Sequence, residues 1–156
     1  LIADQKKSKN KIILNPVIND REAINVINSH TGETINALPF RSGKEIIRII
    51  KKRANLDLFI DESQFFTDDL LALLLFLYRN PDSYNTVNFY GLDRTSDRNF
   101  WSSHLVINAF ADTKKQLKSI CYICQEPAEF TKKLTKSGKL IEIGAKEIYQ
   151  PVCKIH

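Results

Sequence analysis

All three cysteines of the chain fall into two closely spaced pairs, Cys121-x-x-Cys124 and, with a histidine as fourth member, Cys153-x-x-His156. A two-residue spacer lets each pair wrap one ion from a tight turn. Two such turns on neighbouring hairpin ends can converge on the tetrahedron that zinc takes. Three thiolates and one imidazole leave no place for water, so such a site is structural rather than catalytic. The competing reading is three free cysteines beside an unrelated histidine. A pattern that consumes every cysteine favours zinc, and zinc would let residues 116–156 fold with almost no core of their own. Gln116 to Cys124, Ala128 to Thr135 and Leu140 to Ile143 read as short extended pieces, with Ser137-Gly138 as a turn between the last two. The expectation is a small antiparallel β-ribbon stapled by metal. Three unevenly placed cysteines are too few for a disulfide framework, which implies a reducing compartment and a cytoplasmic location.

The preceding residues, 1–115, have a different character. Lys11 to Val17 is an apolar run stopped by Asn15-Pro16, and Leu56 to Ile60 is a second buried run closed by Asp61-Glu62; both read as strands. Val87 to Leu92 reads as a third. Between them, Ser42 is a candidate N-cap for a helix with Ile46, Ile47, Ile49 and Ile50 on one face, and Asp68 to Arg79 is an apolar helix stopped by Asn80-Pro81. Strands alternating with helices imply α/β architecture with a mostly parallel sheet. Ile18 to Phe40 shows no sustained period and reads as a long loop.

The chain has 156 residues, 43% of them hydrophobic and 26% charged, which fits one globular domain with a small appendage and excludes wholesale disorder. No apolar run approaches the ~20 residues of a membrane span; the longest is Leu70 to Tyr78. Leu1 to Asn10 is polar and lysine-rich after its first residues and does not resemble a signal peptide. A net charge of +5 suits an anionic partner, a nucleic acid or a phosphate ester, but also a scatter of solvated lysines. Met is absent even at position 1, so residues upstream of Leu1 are expected.

The acids that end the Leu56 to Ile60 run are the strongest chemical signal in this part. In an open parallel sheet, ligands bind beyond the carboxyl ends of the strands. An Asp there resembles a Walker B acid that holds a nucleotide's magnesium, and a neighbouring Glu can take a proton from an attacking hydroxyl. A solvated strand-end pair is the plainer alternative, although Phe65 and Phe66 just beyond it need something to pack on them. Arg41-Ser42-Gly43-Lys44 imitates the tail of a phosphate loop. It lacks the upstream glycine, and Glu45 stands where Ser or Thr should bind magnesium.

Taken in order, several segments resemble the thymidine kinase family of vertebrate cytosol, bacteria and large DNA viruses. They are Asn15-Pro16 through Asp20-Arg21, Ser29-His30-Thr31-Gly32, Asp61-Glu62-Ser63-Gln64-Phe65-Phe66, and Tyr90-Gly91-Leu92-Asp93 with Trp101 downstream. The ending Tyr149-x-Pro151-Val152-Cys153-x-x-His156 resembles the family's bacterial members. The resemblance implies a RecA-like P-loop nucleotide domain, 1–115, and a zinc-binding lasso domain, 116–156. It implies transfer of the ATP γ-phosphoryl group to the 5′-hydroxyl of thymidine or deoxyuridine in deoxynucleotide salvage for DNA synthesis. By the same resemblance Glu62 is the base and Asp61 holds Mg2+ through water. Phe65, Leu92 and Trp101 line the base pocket, Tyr149 packs on the thymine, and Glu142, Ile143 and Gly144 bind its polar edge. Cys121, Cys124, Cys153 and His156 hold zinc. A homotetramer with feedback binding of dTTP is expected, with no membrane and no nucleic-acid partner. The family's phosphate loop is expected upstream of Leu1, and Ser96 stands where the family usually has Phe. A non-catalytic nucleotide-binding protein, or a zinc ribbon that binds nucleic acid, is the alternative.

Overall fold

The computed structural model describes residues 1–18, 25–28, 32–66, 69–135 and 148–156. The chain divides into two compact units, Leu1–Leu92 with Ser102–Phe110, and Asp93–Trp101 with Ala111–His156.

In the first unit, a short helix α1 (Ile2–Gln5) precedes β1 (Lys11–Pro16), and a hairpin of β2 (Val26–Asn28) and β3 (Thr34–Asn36) leads to β4 (Leu38–Phe40). Then come α2 (Gly43–Ile50), β5 (Leu56–Ile60), α3 (Leu70–Arg79), β6 (Tyr84–Phe89) and α4 (Ser102–Phe110). Four strands form one sheet in the order β4-β1-β5-β6, and every pairing in it is parallel. The α/β expectation with a parallel sheet is met.

Side-chain alternation explains how the sheet is covered. Ile12 and Leu14 of β1 and Leu56, Leu58 and Ile60 of β5 enter one core with α2 and α3, against which Val106, Ile107 and Phe110 of α4 also pack. Ile13 and Phe59 point the other way, into a second cluster with Ala37, Ile27, Ile35 and Tyr90. Ser42 caps α2 as expected, its hydroxyl accepting from the Glu45 N–H. Gly43 is required by packing: a Cβ there would lie 2.9 Å from the Asp69 carbonyl and 3.1 Å from the Leu73 Cβ. The Arg41-Ser42-Gly43-Lys44 segment is thus a helix start packed against α3, not a phosphate loop.

Three elements depart from the sequence reading. The segment from 18 to 40 is not one long loop, because β2, β3 and β4 lie within it. Leu38-Pro39-Phe40 escapes a pattern search because it is short and holds a proline, tolerated here because β4 is the outer strand of the sheet. The third strand runs Tyr84–Phe89, earlier than Val87 to Leu92, since exposed Asn85 and Thr86 at an edge carry no apolar signal. Helix α4 went unrecognised because Ser102, Ser103, His104 and Asn108 dilute its apolar face. Asp68, expected to open α3, lies outside the described residues.

The second unit is a ribbon. β7 (Ser119–Ile120) pairs with β8 (Pro127–Ala128), and β9 (Phe130–Lys133) pairs with β10 (Tyr149–Val152), both antiparallel. Among the described residues its buried cluster is Cys121, Ala128, Val152 and Cys153, with Phe130 packed against it. The extended piece from 116 is strand only at Ser119–Ile120. The strand expected at Leu140 to Ile143 and the Ser137-Gly138 turn fall outside the described residues. Among the described residues, no helix is long and apolar enough to cross a membrane.

Candidate functional site

β5 ends at Ile60 and delivers Asp61 and Glu62 to the carboxyl edge of the sheet. Asp61 stays in register, its N–H donating to the Leu14 carbonyl of β1 at 2.9 Å. Glu62 turns left-handed, with φ +46°, and so starts the 3-10 turn Ser63–Phe65. This conformation is uncommon for a non-glycine residue, and its cost is offset by the hydrogen bonds that anchor the turn. The Ser63 N–H donates to the Tyr90 carbonyl at 2.8 Å, and the Tyr90 N–H returns to the Ile60 carbonyl at 2.9 Å. The turn is therefore stitched to the segment leaving β6. Phe66 then packs into the core, its ring centroid 5.1 Å from that of Phe40 and 6.3 Å from that of Phe89. Phe65 is half-buried.

Both acids are held less acidic than usual. Desolvation lifts the Asp61 carboxyl, opposed in part by a backbone N–H of Glu62. Desolvation lifts Glu62 as well; the Gln64 amide pulls it back, and the Asp61 charge adds to the rise. Glu62 as a residue is exposed, so water screens these effects. A half-buried carboxylate at the ligand-binding edge of a parallel sheet suits a hydrated cation. A neighbouring acid raised toward neutrality suits proton transfer. Leu92, half exposed, lies in the same unit, with its backbone N–H on the Gln64 side-chain oxygen at 3.1 Å. A cleft of about 540 Å³ near Gln5, Lys11, Thr34 and Arg53 opens at the amino end of the strands instead, away from these acids.

In the second unit the four metal-type residues converge. The Cys153 Sγ lies 3.3 Å from the His156 Nδ1, the Cys121 Sγ 3.8 Å from the same nitrogen, and the Cys124 Sγ 3.7 Å from the Cys153 Sγ. All four ligand atoms lie within 4.8 Å of one another. A tetrahedral zinc with ~2.3 Å sulfur and ~2.0 Å nitrogen bonds has edges of about 3.8 and 3.5 Å, so the set fits zinc. The first turn is built for the task. Burial works against ionisation of Cys121, but N–H groups of Cys124, Cys153 and Ile123 aimed at its sulfur outweigh it, and its pKa falls to about 6. The His156 N–H and imidazole draw Cys153 down in the same direction, against burial. The Glu126 N–H pulls Cys124 down, but burial and the other two sulfurs together outweigh it, and Cys124 moves up. Three thiolates this close repel one another, and a dication lets all three ionise.

Trp101 and Tyr149 also belong to the second unit. Trp101 is half-buried with its backbone N–H on the Asp93 carbonyl at 3.0 Å, and Tyr149 opens β10 opposite Lys133. Phe100 is half exposed and lies beneath the Arg94 guanidinium, 4.3 Å from its centroid. Glu142, Ile143 and Gly144, and Ser29, His30 and Thr31, lie outside the described residues.

A family model described as thymidine kinase matches residues 3–156. The chain belongs to the thymidine kinase family. It is 28% identical over 147 residues to a thymidine kinase of Pseudothermotoga lettingae, covering 94% of this chain and 77% of that one. It is 26% identical over 162 residues to that of Rhodopirellula baltica, covering 97% and 75%. With that of Choristoneura biennis entomopoxvirus it shares 30% over 150 residues, covering 94% and 80%. Membership makes the protein a phosphotransferase, and the match spans the sheet and the cysteine ribbon alike, which a free-standing zinc ribbon would not explain.

Sequence reasoning did not single out Gln64, Gly91 or Ser103 at this site. Gln64 was visible only as one letter of the Asp61 to Phe66 motif, and Ser103 belongs to the helix that went unrecognised.

Proposed function

We propose that the protein is an ATP-dependent thymidine kinase, phosphorylating the 5′-hydroxyl of thymidine or deoxyuridine. The observation that carries this reading is the thymidine kinase match over residues 3–156, with its Asp61-Glu62 pair at the carboxyl end of a parallel strand. Glu62 accepts the proton of the 5′-hydroxyl as that oxygen bonds to the γ-phosphorus and the bond to ADP breaks. A carboxylate raised by desolvation is a better base at neutral pH than a solvated one. Asp61 would hold Mg2+ through water, and the ion when bound would neutralise charge on the transferring phosphoryl group. Phe65, Leu92, Trp101, Glu142, Ile143, Gly144 and Tyr149 remain assigned to the nucleoside. Cys121, Cys124, Cys153 and His156 hold a structural zinc. Feedback binding of dTTP, a homotetramer and a cytoplasmic role in deoxynucleotide salvage complete the reading.

The test is the full-length protein assayed for thymidine-dependent conversion of ATP to ADP with formation of dTMP. Glu62→Gln keeps size and loses basicity, so kcat should fall about 10²–10⁴-fold with thymidine affinity nearly intact. Wild-type turnover in Glu62→Gln, measured where chemistry limits the rate, would remove Glu62 from the base role. No dTMP formation together with salt-sensitive binding to DNA would favour the zinc-ribbon alternative.

A further inference from the structure

Behind Glu62 sits a buried amide that the assigned chemistry does not use. Gln64 is 4% exposed. Its side-chain oxygen accepts the Leu92 N–H at 3.1 Å, and its nitrogen donates a short hydrogen bond to the Glu62 Oε2. The orientation is fixed by chemistry: a backbone N–H can only donate, so the oxygen must face Leu92 and the NH2 group must face the carboxylate. The main chain at Gln64 is held as well, because the Ser103 hydroxyl at the start of α4 donates to its carbonyl at 2.8 Å in a buried bond. Gly91 makes room for the amide. A Cβ there would stand 2.5 Å from the Gln64 Oε1 and 2.8 Å from the Ser63 Oγ.

We propose that Gln64 is a positioning residue for phosphoryl transfer: its carboxamide clamps one oxygen of Glu62 and the backbone of Leu92, and so sets the carboxylate at a fixed place relative to the Leu92 segment. The proposal rests on the reading of Glu62 as the base. Gln64 occupies Oε2, and no other hydrogen bond to this carboxylate is made among the described residues, so Oε1 is left to receive the proton. A carboxylate on a residue that is exposed overall and begins a left-handed turn would otherwise sample several rotamers. Misplacing a catalytic group by about 1 Å can cost on the order of 10²-fold in rate.

A double-mutant cycle in the full-length kinase decides it. Gln64→Met keeps volume and removes both hydrogen bonds. Gln64→Glu keeps an acceptor for Leu92 but sets a second carboxyl against Glu62, and two carboxyls this close share one proton, so the free base is lost while the link to the Leu92 segment is spared. Each should lower kcat about 10- to 100-fold with KM for thymidine changed by less than about threefold. Neither should lower kcat further in a Glu62→Gln background, because a residue that acts through Glu62 has nothing left to position. If both variants cost the same factor with and without Glu62, Gln64 does not act through it and the proposal is overturned. If Glu62→Gln alone keeps full turnover, the base assignment fails first, and the two failures are distinct. Should Gln64→Met not fold, Gln64→Glu carries the test, with thermal unfolding showing that the fold is intact.

Discussion

The two units keep their shape by different means. On one face of its sheet the first unit buries twelve apolar side chains among the described residues, Leu14, Ile46, Leu58 and Leu73 included, from strands and helices far apart in sequence. The second has Ala128 and Val152 beside two cysteines, with Phe130 leaning on them, and leaves Leu117, Ile120, Tyr122, Ile123 and Ile155 exposed. At roughly 25 cal/mol per Å² of apolar burial, the cluster formed by the described residues does not offset the entropy of ordering them. A zinc ion bound by Cys121, Cys124, Cys153 and His156 would supply the difference. The expected consequence is that one truncation costs the first unit part of its stability, whereas loss of one metal ligand opens the second unit as a whole.

The largest effect should therefore come from the smallest cluster. Cys153→Ser, or zinc removal by a chelator, should unfold the second unit while the first stays folded. Hydrogen exchange would show it: protection lost in Phe130–Lys133 and Tyr149–Val152, and kept in Lys11–Pro16 and Leu56–Ile60. Protection of the ribbon in zinc-free protein, or freshly purified protein with no stoichiometric zinc, would refute the claim that metal holds it.

Leu73→Ala is the matching break in the first unit. Leu73 is fully buried in α3, and Gly43 of α2 approaches its Cβ closely. Truncation should cost about 2–5 kcal/mol of the first unit's stability, as read from denaturant unfolding, depending on how far the two helices collapse toward each other. Zinc content should not change. A loss below about 1 kcal/mol would mean that the core repacks freely.

The same contrast explains what was legible beforehand. The ribbon's metal set could be read because its ligands are rare residues at fixed spacing; its strands could be placed only coarsely, β7 within Gln116 to Cys124 and β9 within Ala128 to Thr135 but not β10, since two- to four-residue strands carry too few alternations to fix their bounds. In the first unit, β1 and β5 were legible because central parallel strands are continuously apolar. β4 was not, because a three-residue edge strand with Pro39 is defined by its neighbour rather than by itself. The acids at positions 61 and 62 announced themselves by ending a buried run. Gln64 did not, because its role depends on Leu92 and Gly91, which the parallel pairing of β5 with β6 brings beside it. One-dimensional spacing shows which residue types are present at a site, but not which neighbour each will meet.

The smallest expected effect separates the units by acid titration. Asp57 accepts hydrogen bonds from the hydroxyls of Ser8 and of Thr86, the latter at 2.9 Å, and these hold its carboxyl below the ordinary aspartate range, led by Ser8. A lowered folded-state pKa means that folding favours the charged form. The stability Asp57 contributes is present above its unfolded pKa, about 3.9, and is lost as pH falls through the lower folded value. The group is largely open to solvent, so the contribution is about 0.5 kcal/mol or less. Asp57→Asn should therefore be slightly less stable than wild type at pH 5, and the gap should narrow as pH falls below about 3.9 and close once the folded carboxyl is protonated. Acid also protonates zinc ligands, so global unfolding would mix the two units. The measurement has to follow amides of β1 and β5 alone. A gap of constant size through the whole acid titration of the carboxyl would show that Asp57 contributes through shape and neutral hydrogen bonding, not through its charge.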